Sequence, residues 1–163
     1  MAEKAKSHIP VGMHTISAHL WFNGNCRDAI DFYKKALNAD KIYLESIPTQ
    51  DGIIVRHAML KIGNSMILMA DTRPGIWERG PKDHSTMGIF MYVEDCDKAS
   101  KQAIDNGAEE ISKVTDMFWG DRIGKFKDPF GHCWTIATHL WDYSPQEMKI
   151  KEQEMMAQLN KDN

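Results

Sequence analysis

The stretch DPFGHCWTIATH, residues 128–139, contains side chains that can bind a metal or move a proton. His132 and His139 are seven residues apart, and Cys133 lies between them. Imidazole and thiolate groups are common zinc ligands, and histidine is also the usual acid or base near neutral pH. His132 sits beside a turn, whereas His139 shares a strand face with Thr135 at a distance of about 13 Å. The stretch by itself is compatible with metal chemistry or with binding of a small molecule.

Composition narrows the class of protein. The chain has 163 residues, with 20 basic and 23 acidic side chains and a net charge of −3, so neither a nucleic-acid partner nor a membrane partner is predicted. Three cysteines and an N-terminus without an apolar core indicate a reducing compartment and no signal peptide. No apolar run reaches the roughly 18 residues of a membrane span. A cytoplasmic protein is expected.

The sequence repeats one pattern. Shifted by 70, residues 17–29 fall on residues 87–99, and Cys26 meets Cys96. Shifted by 68, residues 62–72 fall on residues 130–140. In each copy an apolar strand enters a polar turn and a helix, and then three further strands follow. The repeat predicts two tandem βαβββ modules.

The elements of the first copy follow from periodicity and turn residues. Strands are predicted over 14–22, 40–48, 53–62 and 65–71, with a helix over 26–37 capped by Asn25 and a hairpin turn at Gly63-Asn64. In the second copy, strands are predicted over 87–93 and 109–115, with a helix over 96–106 capped by Asp95 and stopped at Gly107, and a final hairpin turning at 128–131. The predicted boundaries are a disordered extension over 1–9, modules over 10–71 and 87–143, a linker over 72–86, and a C-terminal helix and tail over 144–163 that begins at a capping Ser144.

Three stretches carry a resemblance to a known family. These are FNGNCRDAIDFYKKAL, HAMLKIGNSMILMAD and FWGDRIGKFKDPFGHCWTIATH, and together with the repeat they resemble the vicinal oxygen chelate superfamily, in particular its PhnB-like branch. That superfamily includes glyoxalase I, the bleomycin-resistance proteins and extradiol dioxygenases. The resemblance implies an α+β fold in which the two modules form a cupped mixed sheet or open barrel, followed here by a C-terminal helix. It also implies a homodimer.

The positions that hold metal ligands in metal-dependent members of this superfamily carry few ligating side chains in this sequence. By alignment with the glyoxalase pattern, they fall on Ala18, Gly88, Ile67 and Thr135. Three of these side chains cannot ligate, and a neutral threonine hydroxyl is a poor ligand alone. If Ala18 faces the cavity, His19 faces away from it. No metal ligand and no cofactor are therefore predicted; a divalent metal held by a shifted set of histidines is the alternative.

Polar residues at the strand ends are the candidate site. A two-residue first turn pairs Ile62 with Ser65 and places Arg56 opposite Asp71, and a looser second turn places Arg122 opposite His139, with all four side chains on the cavity face. Such guanidinium groups would bind a carboxylate, phosphate or phosphonate. The alternative is ordinary cross-strand contacts that fix the hairpin register. The predicted ligand-binding residues are Arg56, Asp71, Trp119, Asp121, Arg122, Thr135 and His139, with Trp119 as a lid and Asp121 orienting Arg122.

His139 and His57 are the candidate catalytic residues, although the parity of His57 also fits a packed position under the helix or at a dimer seam. The predicted function is binding of a small molecule, with an anion as the candidate ligand, in the cavity between the paired modules and without the usual divalent metal. The first alternative is a lyase, isomerase or transferase, metal-dependent or metal-free. The second alternative is a purely structural dimer module with a filled cavity.

Overall fold

The computed structural model describes residues 3–50 and 52–160, in two compact units that meet in sequence between His84 and Ser85. Residues 1–2 of the predicted N-terminal extension and residues 161–163 of the predicted tail lie outside the described residues. Residues 3–18 are irregular and mostly exposed. Each unit contains one βαβββ module, as the repeat predicted.

The first unit is a four-stranded sheet with one helix. Its elements are β1 (His19–Phe22), α1 (Cys26–Ala36), β2 (Asp40–Thr49), β3 (Gly52–Ile62) and β4 (Ser65–Asp71). The strand order is β1-β4-β3-β2, with β1 parallel to β4 and the other pairs antiparallel. The predicted strands and helix are confirmed, except that the first strand begins at His19 rather than at residue 14. The predicted cap is wrong, because in the described part of the chain the Asn25 side chain makes no capping hydrogen bond to α1.

Helix α1 covers one face of this sheet. Its apolar side chains recur every three or four residues, so Ala29, Phe32, Tyr33 and Ala36 share one buried side. The sheet residues with buried side chains alternate along the strands as expected for one covered face, and they include Leu20, Phe22, Leu60, Ile67 and Met69. The opposite side of the sheet, which carries His19 and Trp21, is the open face of the first unit.

The two-residue turn at Gly63-Asn64 sets the register of β3 and β4. Ile62 pairs with Ser65 as predicted, and Gly63 adopts a φ of +56°, which favours glycine. This register continues to Ala58 opposite Met69.

The second unit repeats the module. Its elements are β5 (Gly88–Tyr92), α2 (Cys96–Asp105), β6 (Glu109–Asp116), β7 (Asp121–Lys127), β8 (Cys133–His139) and α3 (Pro145–Leu159). The strand order is β5-β8-β7-β6. Phe126 and Trp134 stack with ring centroids 6.2 Å apart in the core. The Asp95 cap of α2 and the Ser144 capping box of α3 are both present, as predicted.

The second hairpin turns differently from the first. Strand β7 ends at Lys127 and β8 begins at Cys133, so five residues separate them rather than two. The Asp128 carboxylate holds this turn, because it accepts hydrogen bonds from the backbone N–H groups of Phe130 and His132 and from the Trp134 indole. His132 is therefore a residue of the turn, as its position in the sequence suggested.

Among residues 3–50 and 52–160, no helix has both the length and the apolar character that crossing a membrane requires.

Candidate functional site

The candidate site lies on the open face of the second unit, which is the side of its sheet opposite α2. Side chains alternate along strand β8: Trp134 and Ile136 are buried under α2, whereas Thr135 and His139 point to the other side, where Ala137 is also buried. On β5 the exposed side chains are those of Phe90 and Tyr92, which alternate with the less exposed Ile89 and Met91. The open face of the second unit therefore carries Phe90, Tyr92, Asp121, Thr135 and His139.

Asp121 and His139 form the centre of the site. They are paired directly across β7 and β8, and the Asp121 Oδ1 atom lies 2.6 Å from His139 Nδ1. The other carboxylate oxygen, Oδ2, accepts hydrogen bonds from the Tyr92 hydroxyl and the Trp119 indole, each at 3.0 Å. Asp121 is only 4% exposed, whereas about half of the His139 side chain is exposed. A nearly buried carboxylate thus positions an accessible imidazole.

The hydrogen bonds set the charges of this cluster. The pKa of His139 is raised by its hydrogen bond to Asp121 and then by that to Asp142, because both carboxylates favour the imidazolium form. Burial alone would raise the pKa of Asp121, but hydrogen bonds from His139, Tyr92 and Trp119 outweigh burial and lower it. The hydrogen bond to Asp121 raises the pKa of Tyr92. The cluster therefore favours a carboxylate–imidazolium pair with a neutral tyrosine.

The ring of His139 also contacts the segment that follows β8. Its Nε2 atom lies 3.0 Å from the Asp142 carboxylate, which is fully exposed to solvent. Residues 140 and 141 of this segment are fixed by the Gly120 carbonyl oxygen, which accepts hydrogen bonds from the backbone N–H groups of Leu140 and Trp141. Gly120 has a φ of +100°, and a Cβ there would lie 2.0 Å from the Trp141 carbonyl oxygen, so only glycine fits this approach.

Beside the histidine, the open face has an apolar surface. The rings of Phe90 and Tyr92 are 5.2 Å apart, and the two residues are 50% and 61% exposed. An open groove of about 660 Å³ is lined by Tyr92, Val93, Glu94, Thr138 and His139. Small-molecule sites in proteins combine such apolar surface with a few placed polar groups.

Arg122 does not join this site. It pairs across the strands with Thr138, not with His139, and the predicted register is wrong by one residue. Its guanidinium group instead binds Asp97 of α2 through two nitrogens and Asp116 of β6 through a third. The predicted Asp121–Arg122 contact is also wrong, because Arg122 points to the helix side of the sheet. These bonds raise the pKa of Arg122 further above its ordinary value.

Asp71 is likewise misplaced in the sequence-based prediction. It is fully buried on the helix side of its sheet, where its carboxylate accepts backbone N–H groups of Gly24, Cys26 and Val55 at 2.8–3.0 Å. Arg56 is exposed and forms an ion pair with Glu45 at 3.2 Å, so it does not face Asp71 on the open face. The predicted polar ring of two arginines, an aspartate and a histidine is wrong as a placement, because Asp71 and Arg122 lie on the helix sides of their sheets and Arg56 pairs with Glu45.

The sequence alignment and the structure give different answers about which residue of the second module corresponds to Asp71. A shift of 68 matches Asp71 with His139. In the structure the counterpart of Asp71 is Thr138, whose hydroxyl accepts the backbone N–H of Cys96 just as Asp71 accepts that of Cys26. His139 therefore points to the opposite side of its sheet from the one that Asp71 occupies.

The open face of the first unit carries an aromatic cluster. The His19 ring lies 4.6 Å from Trp21 and 6.2 Å from His57, and the His57 ring lies 5.9 Å from Tyr43. His57 is half-buried on this face and does not lie under α1. Burial and then the neighbouring His57 lower the pKa of His19, against an opposing effect of Glu78. The expected orientation of His19 away from the open face is wrong, because Leu20 and Phe22 are the residues under the helix.

The four residues that the sequence alignment assigned to metal binding do not form a metal site. Ile67 is buried on the helix side of its sheet, so the alignment is out of register by one residue in the first unit, where His19 and Leu68 pair on the open face. Gly88 has no donor side chain. Thr135 lies on the open face of the second unit but offers one neutral hydroxyl. In the part of the chain that the structure describes, no group of three or more His, Cys, Asp or Glu side chains could hold a metal ion.

Sequence reasoning missed three contributors to the site. The sequence places Phe90 and Tyr92 in a predicted strand, and their alternation with Ile89 and Met91 is the signal that would identify them as one exposed face. Asp142 follows His139 by three residues in an irregular segment, and no sequence signal predicts that contact.

Comparisons with known proteins agree with this fold. Residues 15–136 match the model of the Glyoxalase/Bleomycin resistance protein/Dioxygenase superfamily. An uncharacterized protein from Mycobacterium bovis is 30% identical over 139 residues, which cover 82% of this chain and 89% of that protein. The solved structure of protein PA1353 from Pseudomonas aeruginosa has a TM-score of 0.63 at 23% identity, with 77% of this chain and 98% of that chain covered. The PhnB protein from Bacillus cereus has a TM-score of 0.61 at 13% identity, with 77% and 99% covered.

The chain belongs to the Glyoxalase/Bleomycin resistance protein/Dioxygenase superfamily. This confirms the family and the α+β fold that the sequence resemblance implied, and its structural neighbours include a PhnB protein.

Proposed function

We propose that this protein binds a small molecule on the open face of its second unit and does so without the divalent metal of its metal-dependent relatives. The observation that carries this proposal is the accessible His139 imidazole, positioned by the nearly buried Asp121 beside the exposed rings of Phe90 and Tyr92. Thr135 and Trp119 remain candidate ligand contacts at the border of this surface.

The aromatic pair supplies the apolar contact. Large aromatic side chains that are half exposed leave apolar surface in water, and covering it with a flat ligand is favourable. Phe90 and Tyr92 are two residues apart on one strand, and their ring centroids are 5.2 Å apart, so the two rings form one continuous apolar surface.

His139 supplies the polar contact. The Asp121 carboxylate fixes the orientation of the imidazole, so little conformational entropy is lost when a ligand binds Nε2. The two arginines on which an anion preference was predicted both have carboxylate partners. The cationic groups on the open face of the second unit include His139 and the exposed Lys125, which pairs across the strands with Thr135.

A screen of a small-molecule fragment library by two-dimensional NMR tests the binding site. We expect hits to shift the amide resonances of Phe90, Tyr92 and His139, and Tyr92→Ala to weaken them. Trp77→Ala is the matched control, because Trp77 is an aromatic residue of the first unit that is 92% exposed. Hits that map elsewhere, or that respond equally to both variants, would refute the proposed site.

Binding without a divalent metal is tested separately, by the metal content of the purified protein. Elemental analysis of protein purified without a histidine tag should give a substoichiometric content of divalent metal. Stoichiometric metal that disappears in His19→Ala would place an ion on the first unit. Stoichiometric metal that disappears in His139→Ala would place it at the proposed site. Either result would contradict binding without a metal.

A metal-free acid–base enzyme is the second candidate function. The Asp121–His139 pair favours it, since a carboxylate that orients an imidazole is a common general acid–base arrangement. Fragment hits incubated in D₂O would reveal such an activity as loss of a carbon-bound proton signal. We expect Asp121→Asn to retain binding and lose exchange if the protein is an enzyme of this type; hits that never exchange in the native protein would favour a binding protein.

We also propose a homodimer with no nucleic-acid or membrane partner. The proposal rests on family membership and on the mixed surface charge. Size-exclusion chromatography with light scattering would contradict the dimer if the mass equalled the 18.7 kDa of one chain. A cytoplasmic location stays a prediction from the sparse cysteines.

A further inference from the structure

We infer that the ligand of the second unit carries a carboxylate, and that this group binds His139 Nε2 in place of the Asp142 side chain. The inference rests on the proposed function and names the chemical class of ligand that the same site takes.

The Asp142 side chain provides an example of a carboxylate bound to His139 Nε2. Its Oδ1 atom lies 3.0 Å from His139 Nε2, although the Asp142 side chain is fully exposed and has no packing that would hold it there. The contact therefore places a carboxylate group at the accessible nitrogen of the ring. A ligand carboxylate can make the same hydrogen bond.

The exchange of one carboxylate for another is electrostatically balanced. Asp121 and an imidazolium form a neutral pair, and Asp142 already adds one negative charge beside it. A ligand carboxylate restores the same arrangement, while the released Asp142 side chain returns to water from an ion pair that was already exposed and therefore weak. Glu94 lines the same groove, and its charge opposes an anion, so the binding of a simple carboxylate should be weak.

The ligand gains a contact that Asp142 cannot make. A carboxylate attached to a flat apolar group can contact the exposed ring of Tyr92, whose hydroxyl bonds to the same Asp121 carboxylate as His139, while it binds the histidine. Asp142 has no apolar group to offer. The released segment does not unfold, because Leu140 and Trp141 remain bonded to the Gly120 carbonyl independently of Asp142.

Three probes that share a benzene ring separate the possibilities: benzoate, neutral benzamide and cationic benzylamine. Their affinities are measured by NMR titration of the full chain at Phe90, Tyr92 and His139. We expect benzoate to bind more tightly than the other two. Asp142→Asn should strengthen benzoate binding about 2- to 5-fold, the range for loss of an exposed ion pair.

Two variants control for charge and for the histidine. Asp105→Asn removes an exposed carboxylate that pairs with Lys101 on α2, so it changes net charge equally and should leave benzoate binding unchanged. His139→Gln should abolish the preference for benzoate over benzamide while the aromatic contact remains.

The outcomes distinguish the inference from the proposed function. Equal binding of all three probes at these residues, or an unchanged benzoate affinity in Asp142→Asn, would overturn the carboxylate inference and leave the binding site intact. If no probe shifts these residues at any concentration, the proposed site itself is refuted. Tighter benzoate binding in Asp142→Asn but not in Asp105→Asn would support both.

Discussion

The Asp71 carboxylate caps helix α1 from the far end of β4, with its Oδ1 atom 3.0 Å from the backbone nitrogen of Cys26. The two residues are 45 positions apart in sequence. The same oxygen accepts the Gly24 N–H, and the second oxygen accepts that of Val55. Asp71 therefore joins the helix, β3 and β4 at a point that excludes water.

Replacement of Asp71 should be strongly destabilising. In Asp71→Asn the amide can accept through only one atom, and its NH₂ group faces backbone donors in a buried site. We expect the free energy of unfolding to fall by about 3 kcal/mol, the order expected for lost hydrogen bonds to a buried charged group. Thr138→Val removes the corresponding neutral acceptor in the second unit and should cost only about 1 kcal/mol. Urea denaturation of both variants makes the comparison, and equal losses would contradict this role of the Asp71 charge.

Asp121→Asn should lower the pKa of both His139 and Tyr92 toward their ordinary values, because it removes the carboxylate that favours the imidazolium and disfavours the phenolate. NMR titration of the ring signals measures both shifts. Asp116→Asn is the control: it removes a nearby carboxylate that binds Arg122 rather than the histidine. An unchanged pKa of His139 in Asp121→Asn would show that the 2.6 Å contact does not control its protonation.

The same pair predicts a dependence of stability on pH. A raised folded-state pKa means that the imidazolium contributes stability below the ordinary pKa of 6.5, and that this contribution is lost as pH rises through the folded-state value. Asp121→Asn should therefore destabilise the protein more at about pH 5.5 than at about pH 9. Thermal unfolding at the two pH values measures the difference; the opposite order would contradict a charged pair.

Gly120→Ala should disturb the segment after β8. A Cβ at Gly120 meets the Trp141 carbonyl oxygen at 2.0 Å, and the residue has a positive φ. We expect a loss of more than about 2 kcal/mol in the free energy of unfolding, because backbone strain and a steric clash combine. Gly107→Ala separates the two effects, since Gly107 has a φ of +108° and open space around its Cβ position. Similar losses in both variants would show that the clash is relieved without cost.

Arg122→Lys tests the site residue that the structure reassigns. The lysine keeps a positive charge but lacks the planar guanidinium group, which binds the carboxylates of Asp97 and Asp116 at the same time. We expect a small fall in thermal stability and no change in fragment binding at Phe90 and Tyr92. A loss of binding with unchanged stability would instead support the ligand-binding role that the sequence suggested.

The elements and the family could be predicted from sequence because their signals are local. Strand β4 has its predicted bounds, and the Gly63-Asn64 turn and the Asp95 and Ser144 caps are formed by residues close in sequence. Asn25 is the exception. Within the described residues its side chain makes no capping hydrogen bond to α1, and Asp71 supplies an acceptor from 45 residues away. A local capping rule has no information about such a distant partner.

The composition of the site was decided by tertiary structure. The sequence alone identified two βαβββ modules, their family, and His139, Asp121 and Trp119 as candidates. It did not determine which face each side chain occupies, because strand side chains alternate with a period of two and an error of one residue reverses every assignment. The second hairpin has a five-residue turn where the first has two, and the resulting register places Asp121, not Arg122, opposite His139. Only the folded sheet fixes that register, since it depends on how the turn closes and which residues the helix buries.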